Sequence, residues 1–543
     1  MLDTFGWDLV YATTLTAVDA ALKASGRVPA SFSGGGVSGD WGSWDLVPGA
    51  PANRIVLACT VASGTATLGA TPLDLTGSKI SVVITLAVAA DGTIAPEGGE
   101  AVVLDRYSFP AGVTGDDVYQ VAKAFHAILQ EQVPLLAGAF GSISTGVSLA
   151  APATDQPWIV PTSATVAVTP LPAMDPRGAI VALLAMTENR ATSGLQVAVD
   201  GRMLDGAPDG CDRAVALGPH RVDEDLLKPA ITAIVQGSSL SDFSASPTGT
   251  IYNTGTMTWG TFTYADSDGG TSTIHPTIPA GNLQLTLNGA VAHVSMSNVH
   301  FPYPAWHGPG EITVSMNAEQ FVTMGIVRRD DGHLVIAEVA DPVQSFHVTV
   351  IPDHDVQAFQ IAVNVALQVL FAVIGGALDS AAGAAENAAA ESVEEEASGQ
   401  LVSDFEDEEI QGLLDGHASE EDIERAEEDA GQQAGEAVAN GGNAGWVQSF
   451  KSAIMANRSK ILLKIIEKAV EIPAGEIVDV AVALARRQYD QLPTIDPLAV
   501  DAALPVTWAD RGGVVFEGGK VDGAIVFWGM STSAAKALRG EGS

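Results

Sequence analysis

The positions Trp7, Val10, Tyr11, Thr14, Val18 and Leu22 recur three and four residues apart, which predicts an opening helix, and Gly26 lies where such a helix should stop. A glycine-rich passage, Ser33–Gly42, reads as a loop. Strand-like runs follow at Ile55–Cys59 and Ile80–Val88, where β-branched residues dominate, and Asp91-Gly92 supplies a turn. Asp116 and Asp117 then begin an amphipathic helix with Val118, Val121, Phe125, Ile128 and Leu129 on one side. Acids suit that first turn because they face the positive end of the helix dipole.

From Trp158 to Val350 the pattern is mostly that of strands, with runs at Thr165–Val168, Ile180–Met186, Leu195–Val199 and Ile251–Tyr264. The clearest hairpin is Leu283–Val299. A two-residue turn at Asn288-Gly289 would set Leu287 opposite Ala290, Leu285 opposite Ala292 and Leu283 opposite Val294. That face is apolar, while Gln284, Thr286, His293 and Ser295 lie on the other. One face should therefore meet a core and the other water.

The last third reads as helical. Val356–Leu378 has no charged residue, and Gln357, Gln360, Asn364 and Gln368 share one helix face opposite Phe359, Ala362, Ala366, Val369, Leu370 and Val373. A lone membrane span would leave those amides unpaired in lipid, so a packed helix without a transmembrane segment is expected. An acidic stretch, Glu386–Glu436, precedes a second long helix from Trp446 to about Ile472, broken at Pro473 and followed by a short one to about Arg487. The second long helix carries an apolar stripe (Phe450, Ile454, Ile461, Ile465, Ile472) and a basic one at Lys460, Lys464 and Lys468, with Lys451 and Arg458 nearby.

Composition changes this picture in one respect. The 543 residues carry 26 Lys and Arg against 65 Asp and Glu, a net charge of −39, and 47% are hydrophobic, enough for a large core. Such acidity excludes nucleic acid as the expected partner. Yet Glu386–Glu436 holds 19 acids and one base, Arg425, so 51 residues supply −18 of the total beside the one basic helix. That stretch reads as a solvated insertion, helical or disordered. Cys59 and Cys211 are too few for a disulfide framework and read as buried free thiols. The N-terminus lacks a basic segment followed by an apolar one, so a cytoplasmic protein, or one released without a classical signal peptide, is expected.

No motif carries catalytic chemistry: zinc-type HExxH, GxSxG, P-loop and CxxC patterns are all missing, so no enzyme, cofactor, catalytic residue or metal site is expected. Gly34, Gly36 and Gly39 have the GxGxxG spacing but follow a helix and lead into Trp41-Gly42-Ser43-Trp44, not from a strand into a helix. Asp266-Ser267-Asp268-Gly269-Gly270 begins like a calcium loop without its remaining ligands and reads as a hairpin tip. His293, His300 and His307 recur every seven residues. On a regular strand the first two point to opposite faces and cannot share a metal.

Several blocks resemble the forty-seven-kilodalton accessory proteins of OrfX-type clostridial neurotoxin gene clusters. They are Thr4-Phe5-Gly6-Trp7-Asp8-Leu9-Val10-Tyr11, Gly39–Gly49, Pro157–Thr162, Ala185-Met186-Thr187-Glu188-Asn189-Arg190 and the ending from Pro505 through Ala524. The blocks keep their order over most of the chain; the acidic insertion departs from the family pattern. The resemblance implies the tubular lipid-binding (TULIP) superfamily and an α+β fold, elongated, of strongly bent antiparallel sheets wrapped around long helices. With it come four expected portions: an N-terminal α+β portion at 1–230, a β-rich portion with the long apolar helix at 231–385, the acidic insertion at 386–445, and a C-terminal long helix with closing strands at 446–543. It also implies non-enzymatic binding of a lipid or another apolar small molecule, and a toxin or other protein of the same gene cluster as partner.

Candidate groove residues are Leu283, Leu285, Leu287 and Val294 on the hairpin, with Phe359, Val369, Leu370 and Val373 on the helix. Candidate contacts for a headgroup, or for the acidic insertion shielding it, are Lys451, Arg458, Lys460, Lys464 and Lys468. A protein-interaction scaffold or chaperone-like accessory factor with a filled core and no lipid is the alternative.

Overall fold

The opening run Leu9–Thr14 forms a strand, buried along its whole length, in the computed structural model of the chain, which describes residues 1–351 and 495–535 apart from short internal stretches. The expected helix begins only at Leu15 and runs to Ala24. A continuous apolar run fits a doubly covered strand as well as a helix. Here the strands on either side, Ala179–Thr187 and Arg213–Leu217, decide it by pairing with both edges of Leu9–Thr14. The Thr14 hydroxyl accepts from Ala17 N at 3.2 Å and caps the helix, while Gly26 beyond its end has φ +67.

The chain divides into two compact units, Met1–Arg221 with Asp496–Ser543, and Val222–Ile495. In the first, a six-stranded antiparallel sheet runs Pro161–Pro170, Ala179–Thr187, Leu9–Thr14, Arg213–Leu217, Ile525–Ser531, Val514–Val521. Ala179–Thr187, Arg213–Leu217 and Ile525–Ser531 are buried at every residue, as expected of strands covered on both faces. One face packs Trp7, Leu184, Met186, Met203 and Trp528 into a single cluster. Leu195–Val199, expected as a strand, is a loop whose carbonyls accept from side chains instead: Trp7 Nε1 donates to Gln196 O at 2.8 Å and Thr169 Oγ1 to Val199 O at 2.7 Å.

A second sheet of this unit orders Ser31–Gly34, Val37–Val47, Arg54–Ala66, Lys79–Val88 and Ile94–Pro96, with Leu73–Asp74 and Val103–Ser108 on its flanks. The helix Asp116–Gln132, acidic in its first turn as expected, buries Phe125 against Phe32, Trp41 and Phe109, with ring centroids 5.1, 5.7 and 6.1 Å away. The glycine-rich passage is a β-hairpin and not a loop. Gly35 and Gly36 turn it with φ +59 and +83, and a Cβ on Gly39 would lie 2.1 Å from Ser63 O. The GxGxxG spacing thus serves a tight turn and a close strand approach.

In the second unit, Leu283–Asn288 and Val291–Pro304 pair as a hairpin, and Val291–Pro304 pairs over its length with the 18-residue strand Glu311–Arg328. The hairpin register differs from the expected one by two residues: Leu287 lies opposite Ala292, Leu285 opposite Val294 and Leu283 opposite Met296. The turn residues are Gly289-Ala290, with only Gly289 at positive φ, +61, the pattern of a turn needing glycine at its first central position. A shift of two keeps every side chain on its face.

The sheet continues through Thr250–Asn253 and Phe243–Ala245 on one side, and Val343–Ile351 and Leu334–Glu338 pair with Glu311–Arg328. The run expected over Ile251–Tyr264 is divided among Thr250–Asn253, Met257–Thr258 and Phe262–Ala265. Phe262–Ala265 pairs with Thr271–Ile274 as a hairpin; its expected tip, Asp266–Gly270, lies outside the described residues. The described residues are mostly antiparallel sheet with few helices, and one sheet is strongly curled into a half-barrel.

Candidate functional site

The inner face of the long-strand sheet follows from its register. Val294 lies opposite Gln320, Met296 opposite Ala318, Val299 opposite Met316 and Phe301 opposite Val314, and all eight are buried. Leu285 extends the first of these rows to Ile251, so Ile251, Leu285, Val294 and Gln320 form one cross-strand line over four strands. Of the candidate groove residues, Leu283, Leu285 and Val294 are buried on this face and Leu287 is half-buried near the turn. Phe359, Val369, Leu370 and Val373 lie outside the described residues, as do Lys451, Arg458, Lys460, Lys464 and Lys468 and the acidic stretch.

Two buried amides in this sheet have opposite circumstances. Asn253 donates from Nδ2 to Gly255 O and Pro279 O at 2.8 Å each, and its Oδ1 accepts from Leu283 N at 2.9 Å. Gln320, 0% exposed, has no hydrogen-bond partner for either Oε1 or Nε2. Leaving such a group unpaired costs about 1–3 kcal/mol. Sequence reasoning missed Gln320, although its signal was there. Val314, Met316, Ala318, Val322 and Met324 alternate with Ser315, Asn317, Glu319, Phe321 and Thr323, and Gln320 is the one polar residue in that apolar series.

His293 and His300 do not point to opposite faces. An irregularity between Met296 and Val299, with Asn298 at φ +52, places an extra residue in the strand and returns both histidines to the outer face. His293 stacks on Phe321, centroids 4.1 Å apart, and His300 lies opposite Ser315. Six residues of the partner strand separate those two positions, about 20 Å at ~3.3 Å per residue. They cannot share a metal; His307 lies outside the described residues. Among the described residues no group of His, Cys, Asp or Glu is arranged to hold a metal, and no helix is long and apolar enough to cross a membrane. Cys59 and Cys211 form no disulfide; Cys59 is buried, its thiol pushed up by burial, and Cys211 is only half-buried.

In the first unit the polar centre is Asp8, fully buried. Its carboxylate accepts from Thr187 N and Thr187 Oγ1 at 3.0 Å each, pairs with Arg190, and meets Arg221 at 3.4 Å. Arg221 reaches on to Glu188 at 2.7 Å. Glu188 and Asn189 turn with φ +51 and +56, and Asn189 N donates to Thr162 Oγ1 at 3.0 Å. At the other end, Leu2 N donates to Asp522 O at 3.0 Å. The blocks Thr4–Tyr11, Pro157–Thr162 and Ala185–Arg190 therefore meet around Asp8, while the C-terminal block is joined to the chain's first residues. What they build is the frame of the sheet.

These sheets define an α+β fold of curled antiparallel sheets. The chain shares its fold with P47 from Clostridium botulinum A2, at a TM-score of 0.50 and 16% identity, covering 69% of this chain and 88% of that one. P47 of Clostridium botulinum E1 aligns at 0.49 and 16% identity over 69% and 89%, and a lipopolysaccharide binding protein at 0.24 and 10% over 66% and 88%. No family model matches the sequence, and no curated protein matches it.

Proposed function

We propose that the chain binds a lipid or another apolar ligand, without catalysis, on the inner face of the sheet formed by Leu283–Asn288, Val291–Pro304 and Glu311–Arg328. The observation that carries this reading is the continuity of that face: Ile251, Leu283, Leu285, Ala292, Val294, Met296, Ala318 and Val322 are all buried and apolar across four strands. A face of this kind stabilises an alkyl chain by about 0.8 kcal/mol for each CH2 removed from water. The partner is taken to be a toxin or another protein of the same gene cluster, as the sequence resemblance suggests, and the protein to act as its accessory.

A second reading, a protein-interaction scaffold with a filled core, is favoured by one observation: Leu283, Leu285 and Val294 are at most 1% exposed. Native mass spectrometry of the purified full-length chain, followed by solvent extraction, separates the two. Lipid-sized adducts that extract into organic solvent support the carrier. Their absence, together with no uptake of a fluorescent fatty acid, supports the scaffold.

A further inference from the structure

We infer that Gln320 is the polar anchor of this face, and that the ligand is a neutral long-chain lipid with an ester carbonyl or hydroxyl. The inference rests on the carrier reading above and adds the chemistry of the ligand. Position comes first. Gln320 lies opposite Val294 on the inner face, with the Met296–Ala318 row on one side and the Ala292–Val322 row on the other. Each neighbouring row is two residues away along the strand, about 7 Å. Across the other edge of its strand Gln320 is in register with Gln344, so the amide meets apolar rows toward Val291–Pro304 and along its own strand, and a polar position toward Val343–Ile351.

Pairing comes second. Buried side-chain amides normally find hydrogen-bond partners, and Asn253 in the same sheet makes three. Those bonds tie Gly255, Pro279 and Leu283 together, so Asn253 is committed to the fold. Both polar atoms of Gln320 are buried and unpaired, so its two N–H donors and its carbonyl are uncommitted.

Charge comes third. The inner-face positions 314, 316, 318, 320, 322 and 324 and their opposites 292, 294, 296, 299 and 301 include no Lys, Arg or His. An ionised carboxylate or phosphate set there would be a buried charge without a counter-charge, which is strongly unfavourable. An ester carbonyl accepts from the amide, and a hydroxyl both donates and accepts, at no such cost. A pure hydrocarbon would fill the face and leave the amide unpaired.

The test is displacement of a fluorescent alkyl probe from the full-length protein by monopalmitin, palmitate and hexadecane, for the wild type, Gln320→Leu and Gln320→Met. Wild type should bind monopalmitin at least tenfold more tightly than hexadecane. Both variants should lose about tenfold toward monopalmitin and bind hexadecane as well or better. Two apolar replacements of similar length guard against a local packing defect in one of them, and a thermal melt confirms that each is folded. Equal affinity of wild type and variants for monopalmitin overturns the anchor while leaving the carrier standing, as does a wild-type preference for ionised palmitate. Failure of wild type to bind any of the three overturns the carrier reading and the anchor with it.

Discussion

Asp8 accepts two hydrogen bonds from Thr187, one from its backbone N–H and one from its hydroxyl, both at 3.0 Å. The same carboxylate neutralises Arg221, a guanidinium only 2% exposed, which draws three distant segments of the chain onto one atom pair. Removing one member of a buried ion pair strands the other, at a cost of about 3–5 kcal/mol. Asp8→Ala should lower the stability of the first unit by about 3 kcal/mol in urea unfolding. Thr187→Val, which removes only the hydroxyl bond, should cost about 1 kcal/mol. Equal effects of the two would contradict the central place of Asp8.

Gly39 tests the hairpin built from the glycine-rich passage. A Cβ there would lie 2.1 Å from Ser63 O and 2.5 Å from Gly64 Cα, both backbone atoms that cannot swing away. Gly39→Ala should cost about 2–3 kcal/mol through forced separation of the strands. Gly26→Ala, with nothing within 4 Å of the added Cβ, pays only for its φ of +67 and should cost about 1 kcal/mol. Thermal melts of the two variants compare them directly.

How far the sequence reveals this architecture depends on which signals are local. Alternation placed Leu283, Leu285 and Val294 on one face correctly, because period two survives a register shift of two. It could not set the register itself, which Gly289 decides by its positive φ. Nor could it separate a helix from a doubly buried strand at Leu9–Thr14, since that depends on strands about 170 and 200 residues further along. The bulge that brings His293 and His300 to the same face turns on Asn298; its trace in the sequence is the shift of the apolar positions from 292, 294 and 296 to 299 and 301, which a reading of a regular strand passes over. Gln320 was legible as a polar interruption of an apolar series. What the sequence could not supply was its lack of partners, because that depends on every neighbour across the sheet.

Asp223 gives the second unit a pH dependence. Burial, with Glu224 adding to it, pushes its carboxyl up to about 7, and the side chain packs against Gly249. A folded-state value above the unfolded one, near 4, contributes stability that is complete below about pH 4 and is lost as pH rises through about 7. One proton gives a slope of at most about 1.4 kcal/mol per pH unit over that window. Asp223→Asn should flatten the pH 4–7 stability profile of this unit, followed by hydrogen exchange at the 222–234 helical segment. An unchanged slope would place the titration elsewhere.

The two amides of the long-strand sheet should respond to mutation with opposite signs. Asn253→Ala removes three hydrogen bonds and leaves Leu283 N without its acceptor, a loss of about 2–4 kcal/mol. Gln320→Leu removes a buried group without partners and should be neutral or stabilise by about 1–2 kcal/mol. Urea midpoints of ligand-free protein measure both. A stability gain with a loss of ligand preference would mark Gln320 as retained for binding.

Chain length reports on the binding face itself. If alkyl groups lie along the apolar rows, each added methylene should tighten binding by about 0.8 kcal/mol, close to fourfold, until the face is filled. A series of monoacylglycerols from ten to eighteen carbons, measured by displacement of the fluorescent probe, gives this slope. No dependence on length would point to a surface association.

The central claim is that the inner face of this sheet holds a lipid. Native mass spectrometry of the intact full-length protein, before and after organic extraction, tests it most directly. The account predicts stoichiometric adducts of lipid mass that extraction removes and that a neutral long-chain ester restores. A single mass equal to the bare chain, unchanged on incubation with that ester, would contradict it.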